Sequence, residues 1–290
     1  MALLLQIKEN NFNYDREVGY MIKESTADLK VESAIEVNIY PPEAQGIGAF
    51  DGGRITEIKP IGFPYEGPTV THVGPLFYWA WASANGYGKI GLHPHKGFEI
   101  LSYVIEGEIG HGDTLGTVSR VKTGGAQVMQ TGSGVSHEEE TLGNHTEFFQ
   151  IWFEPFLQEA FKRTPTYREV NHEAFPIDKQ NGTVIKSIIG RGAPVSIETD
   201  VTMQDVSIDP GRKYQIKLAA GRSLAIVTIS GNGALIDKTK SEKNNIQTRD
   251  FAVIHAKREA TISIQAESNK PLRLAIIEVP AKVDYPLYKN

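Results

Sequence analysis

From Arg54 onward the chain is cut into short apolar segments of alternating pattern, separated by glycine-bearing turns. "FEILSYVIEGEIGHGDTLG", "GGAQVMQTGSGVSH" and "TEFFQIWFEP" are examples. Side chains alternate across a strand, so this rhythm buries one face of each segment and suits a sandwich or barrel of short strands. It argues against βαβ units, which need a long helical pattern between strands. The 28 Gly and 15 Pro residues supply the turns that such a fold demands.

A second series follows: "TVIKSIIG", "VTMQDVSI", "YQIKLAA", "SLAIVTISGNGALI", "DFAVIHA", "ATISIQA" and "LRLAIIEVP". "VTISGNGALI" repeats the strand, glycine turn and strand order of "YVIEGEIG", and its "SGNG" reads as a hairpin turn rather than a phosphate cradle. A duplicated β-domain is the economical expectation. The expected division is an extension over residues 1–50, a first domain over 51–160 and a second over 161–290. The junction falls at "LQEAFKRTPTYREVNHEAFP", where a short helix and two prolines break the strand rhythm. Within the extension, "DREVGYMIKESTADLKVESAIEV" has room for a short helix and "YPPEAQGIGAFDGG" reads as a loop.

Composition narrows the function classes. The net charge of −5 comes without any long Lys or Arg run, so nucleic acid is not an expected partner. The chain has no cysteine, which removes disulfides, thiolate ligands and a thiol nucleophile together. "MALLLQIKENN" lacks the basic start of a secretory signal, and no segment approaches the 18 apolar residues of a membrane span. The expectation is a cytoplasmic protein with no membrane partner.

Two of the eight histidines stand one residue apart in "GLHPHKGFEI", where strand alternation points His93 and His95 to one face. Neutral imidazole is the commonest side-chain ligand of first-row metals. "SGVSHEEE" offers partners of matching parity: His137 and Glu139 share a face, and Glu138 and Glu140 point the other way. Three imidazoles and a carboxylate can hold a divalent ion with positions left open for substrate or O2. In the second half, "YQIKLAA" stands where the first has His-x-His and offers no ligand. The other histidines (His72, His145, His172 and His255) carry no assignment. In "LFYWAWA", Phe77, Trp79 and Trp81 fall on one face and Tyr78 on the other; a pocket for a flat aromatic molecule and plain core packing fit this row equally well.

"HPHKGFEILSYVIEGEIGHGDTLG", "GGAQVMQTGSGVSHEEE" and "FFQIWFEP" together resemble the pirin family of the cupin superfamily, with "TVIKSIIG" and "AIIEVP" as weaker matches. The resemblance implies an all-β fold of two cupin-type β-barrels in tandem (a bicupin), of which the N-terminal barrel binds the metal. It places the ligands on His93, His95, His137 and Glu139, the set that strand parity selects. It also implies one divalent ion per chain, Fe2+ first, with Mn2+, Ni2+, Cu2+ and Zn2+ as alternatives. General cupins use a Glu a few residues after His-x-His, here Glu99, but its spacing to Gly107 is one residue too long and pirin-like proteins use the later Glu, which makes Glu99 a neighbour of the site or a structural residue rather than a ligand. His111, on the return strand, could hydrogen-bond near the metal, but a plain strand residue is the preferred reading. The first fifty residues extend beyond the usual pirin start. The expected activity is that of a quercetinase-type dioxygenase, with a small aromatic substrate and O2 as partners and Glu139 as ligand and proton acceptor. The alternative is a metal- or redox-sensing regulator that binds a protein partner.

Overall fold

The computed structural model describes residues 33–237 and 242–288. Most of the stretch expected to hold a short helix in the extension therefore lies outside the described residues. The remainder is all-β. Strands run in the order β1 (Ile35–Tyr40), β2 (Gly46–Phe50), β3 (Ile55–Ile61), β4 (Leu76–Ala84), β5 (Gly88–His95), β6 (Glu99–Asp113), β7 (Val118–Lys122), β8 (Ala126–Gln130), β9 (Val135–Phe153) and β10 (Thr166–Val170). A one-turn helix, α1 (Leu157–Ala160), precedes β10. The second half holds β11 (Ile177–Gln180), β12 (Thr183–Ile189), β13 (Thr202–Ile208), β14 (Lys213–Leu218), β15 (Arg222–Ser230), β16 (Asn232–Asp237), β17 (Glu242–Gln247), β18 (Phe251–Ala256), β19 (Ala260–Ala266) and β20 (Leu272–Pro280).

These strands form three sheets. The first runs β10-β8-β6-β9-β4-β3-β2, with β5 joined to β9 and β7 to β6. The second runs β1-β18-β15-β20-β13-β12-β11, and the third β14-β19-β16-β17. Sheet membership crosses both boundaries drawn from the sequence. Strand β1, inside the expected extension, pairs Ile35 with Ala256 through to Tyr40 with Phe251, and so edges the second lobe's sheet. Its alternating Ile35, Val37 and Ile39 pack on the second lobe's core, which is the physical reason it belongs there. The expected loop "YPPEAQGIGAFDGG" contains β2, and β10, past residue 160, pairs with β8 of the first sheet.

The largest apolar cluster lies between the first and second sheets. It joins Trp79, Trp81, Leu101, Tyr103, Phe149 and Ile151 of one to Val227, Phe251, Ala275 and Ile277 of the other. Trp79 meets Phe149 edge-on at 5.4 Å and reaches Phe251 at 6.2 Å. Fully burying side chains of this size contributes about 1.5–3 kcal/mol each, so the two lobes share one core. Separate clusters fill each lobe: Ile55, Val104, Ile109 and Phe148 in the first, and Ile208, Leu224, Leu235 and Ile262 in the second. On β4, Trp79 and Trp81 serve the shared core, but Phe77 does not share their face as expected: the register shift between Leu76 and Tyr78 puts it in the cluster of Tyr78 and Ala80.

Candidate metal centre

Strand β5 pairs with β9 so that Ile90 lies across from Glu139 and His93 directly across from His137, with a register shift between the two pairs. One extra residue is accommodated on β5 at Gly91–Leu92, a β-bulge of the kind that re-aims side chains beside functional sites. The bulge lets Ile90 and His93 both face the interior although they are three residues apart. Leu92, displaced by it, is 61% exposed. After His95 the chain turns at Gly97 with φ +88, where a Cβ would collide with Phe161 and Leu157 beside α1. Only glycine lets the backbone pass there.

The result is a triangle of imidazoles. Ring centroids lie 4.7 Å apart for His93 and His95, 4.5 Å for His93 and His137, and 4.9 Å for His95 and His137. One nitrogen from each falls within 4.8 Å of the others, the single such group of three metal-ligating side chains among the described residues. His93 Nδ1–H donates to the Gly91 carbonyl at 2.8 Å, which leaves Nε2 as its free lone pair. His95 Nε2 and both nitrogens of His137 are buried with no hydrogen-bond partner. Buried polar atoms are almost always paired, so orphaned nitrogens on His95 and His137, with one nitrogen from each converging with one from His93, fit an ion. Burial, and then the neighbouring imidazoles, push His95 and His137 down to about 3, so both are neutral and able to bind metal at ordinary pH.

Parity on β9 is as the sequence predicts. His137 and Glu139 are buried, whereas Glu138 and Glu140 face outward and pair with Lys89 at 3.0 and 3.3 Å. The Glu139 carboxylate does not join the imidazole triangle. Its Oε1 accepts from Ser102 Oγ at 3.2 Å and Gln127 Nε2 at 3.3 Å, and its Oε2 accepts from Gln150. Tyr167 donates in turn to Gln127 Oε1 at 3.1 Å, which fixes the amide's orientation. Glu99 lies elsewhere: it receives the backbone N–H groups of Glu198 and Thr199 at 2.6 and 3.0 Å, Thr199 Oγ1 at 2.6 Å and Gln130 at 2.8 Å. It is a tie between the lobes. Unlike the plain strand residue expected, His111 stands 5.5 Å from the His137 ring, stacks on Tyr167 at 4.2 Å and bonds Asp113 at 2.9 Å through Nε2.

A cavity of about 440 Å3 opens beside the triangle, lined by His93, His95, Glu139, Gln150 and Trp152 together with Phe50, Phe63, Tyr65 and Tyr78. Tyr78 stacks on Trp152 at 4.5 Å, and Trp152 meets His95 edge-on at 4.8 Å. The face of "LFYWAWA" that reaches the pocket is thus Tyr78's. Sequence reasoning missed Gln150 and Trp152 because parity changes along β9: residues 137, 139 and 141 are buried inward, but past irregular pairing near Glu147 the inward residues are 148, 150 and 152.

The pirin family model matches residues 79–153, the stretch that carries the triangle. A pirin-like protein from Caulobacter vibrioides is 32% identical over 166 residues, covering 56% of this chain and 69% of its own length. The chain belongs to the pirin family. A quercetin 2,3-dioxygenase from Escherichia coli is 27% identical over 186 residues, covering 63% of this chain and 74% of that protein. The chain spans only 59% of a pirin-like protein from Arabidopsis thaliana, at 28% identity over 64% of its own length. Among solved structures, a bacterial pirin from Escherichia coli in complex with nickel(II) superposes with a TM-score of 0.69 at 23% identity, covering 84% of this chain and 99% of that one. The fold is accordingly that of the tandem cupins, and the pirin match falls on the first lobe. No helix among the described residues is long and apolar enough to cross a membrane.

Proposed function

We propose that this pirin is a metal-dependent dioxygenase acting on flavonol- or catechol-like aromatics. The observation that carries this reading is the adjacency of the three-imidazole triangle to a cavity lined by aromatic side chains. His93, His95 and His137 would hold one divalent ion, Fe2+ first among the candidates, and Glu139 would complete the set by turning from its amide donors. When bound, the ion supplies chelation of a substrate oxygen and the electron traffic that O2 chemistry requires. The protein supplies the rest. Tyr78, Phe63 and Trp152 present flat apolar faces that align a planar substrate and keep water from it. Glu139 also lines the same cavity, within reach of a substrate hydroxyl whose proton it would take. The quercetin 2,3-dioxygenase relative supports the same substrate class. The test is O2 uptake by Fe2+-loaded protein across a panel of flavonols and catechols; no uptake with any of the candidate metals would remove the enzyme reading.

A second reading, a metal-responsive regulator that docks a protein partner, draws on the apolar side chains exposed at the cavity mouth. Tyr65 is 84% exposed and stacks on Phe63, and Leu92 is bulged outward beside His93. A regulator would bind a protein partner in one oxidation state of the ion and release it in the other, without consuming O2.

A further inference from the structure

The cavity has a second polar end that the metal does not account for. Lys59, whose side chain is 3% exposed, lines it together with Glu66. The Lys59 ammonium lies 3.0 Å from Glu57 Oε2 and also pairs with Glu66 Oε1. Glu66 Oε2 accepts the Phe63 backbone N–H at 2.8 Å, and Glu57 accepts from the Tyr78 hydroxyl at 3.5 Å. The Lys59 ammonium also stands 5.3 Å from the centre of the Tyr78 ring, within cation–π range. Glycines make room for the group: a Cβ at Gly48 or at Gly62 would come within 2.8 Å of Glu57 or Glu66 oxygens respectively.

Burying an ammonium and two carboxylates is costly, and a stability role alone is poorly served by it, since a hydrophobic replacement of similar volume does as well or better. Burial pushes the Glu57 carboxyl above its ordinary range and the Lys59 ammonium opposes that shift; with both carboxylates ionised the cluster carries one net negative charge. Such a cluster repels an added anion and offers free carboxylate lone pairs to a neutral hydrogen-bond donor. Phe63, Tyr78 and Trp152 line the same cavity.

Resting on the aromatic-substrate reading above, we propose that Lys59 and Glu66, backed by Glu57, are specificity-determining residues: they receive a neutral hydroxyl on the ring of the substrate remote from its metal-chelating oxygens. The preferred substrate is then a flat molecule polar at both ends. Its remote hydroxyl donates to Glu66, and carboxylated counterparts are disfavoured.

The experiment measures binding rather than turnover. Fe2+-loaded protein under nitrogen is titrated with 3-hydroxyflavone, with a flavonol hydroxylated on the remote ring, and with its remotely carboxylated analogue, reading tryptophan fluorescence. The hydroxylated flavonol should bind about tenfold tighter than 3-hydroxyflavone, one good hydrogen bond to a charged group being of that size. The carboxylated analogue should bind weakest. In Glu66→Gln the preference between the first two should shrink to within about twofold. Equal affinity for the two flavonols in the unmodified protein, tightest binding of the carboxylate, or a preference that Glu66→Gln leaves intact overturns the assignment and leaves the aromatic-substrate reading standing. Binding of neither flavonol removes that reading and the assignment with it.

Discussion

His93 lies directly across from His137 in the β5–β9 ladder only because β5 carries one extra residue at Gly91–Leu92. Continued without the bulge, the Ile90–Glu139 register would set Leu92 opposite His137 and turn His93 toward Ser136. The imidazole triangle is therefore a product of strand irregularity as much as of histidine spacing.

The three glutamates of "SHEEE" test the geometry of β9. Each changed singly to Gln keeps its size and loses its charge. Glu139→Gln should lower metal affinity and turnover by about tenfold or more, as losses around metal ligands do. Glu138→Gln and Glu140→Gln touch only Lys89 and Tyr87 on the outer face and should leave both within about twofold. Damage confined to Glu138→Gln or Glu140→Gln would mean that the inward register is misassigned.

Glu99 is the ligand that a general cupin pattern suggests and that the structure sends elsewhere. Glu99→Gln should leave metal stoichiometry unchanged, because the carboxylate meets Gln130 and the Glu198–Thr199 backbone and not the imidazoles. It should cost about 1–3 kcal/mol in stability, since buried donors lose a charged acceptor. Urea denaturation and metal analysis on one sample distinguish the two; lost metal with unchanged stability would restore Glu99 to the centre.

Much of this was legible in the sequence, for physical reasons that also mark where it stopped. The strands of the second half follow their apolar alternation, and "YQIKLAA" or "LRLAIIEVP" needs no further signal. Strand β17, "EKNNIQ", and β11, "IDKQ", are polar edge strands whose only credential is a neighbour's free hydrogen bonds, so alternation cannot reveal them. The shared buried face of His137 and Glu139 was readable because β9 is regular there. Gln150 and Trp152 were not, because the ladder slips near Glu147 and reverses which parity faces inward. Strand β1 illustrates a different limit: its partner β18 lies more than two hundred residues away, and no local pattern encodes that pairing.

The shared core predicts that the lobes unfold together. Trp79 is fully buried between Phe149 and Phe251. Trp79→Ala should cost about 3–5 kcal/mol and lower a single unfolding transition seen by both fluorescence and circular dichroism. Two separated transitions, with only one moved, would show the lobes to be independent.

Lys186 sets a pH dependence away from the metal. Burial pushes its ammonium down to about 8, against an ordinary value of 10.5, while its Nζ donates to the Gly124 carbonyl and to His172 Nδ1. A folded value below the unfolded one means that the unfolded chain binds the proton more tightly. The folded state is penalised at and below about pH 8, and the penalty fades as pH rises through 8 toward 10.5. Lys186→Met, which removes the titrating group, should flatten the rise in urea midpoint between about pH 7.5 and 10. A slope identical to the parent's would clear Lys186 of any part in it.

Calorimetric titration of metal-free protein with Fe2+ under nitrogen reads directly whether three imidazoles of the first lobe hold one ion. One tight equivalent per chain is expected, together with a metal-induced rise in melting temperature, because an ion that binds only the folded state stabilises it by mass action. In His137→Ala both should vanish while the metal-free melting temperature stays within a few degrees, about the size of a single modest packing change. Two tight equivalents per chain, or an undiminished equivalent in His137→Ala, would contradict that arrangement.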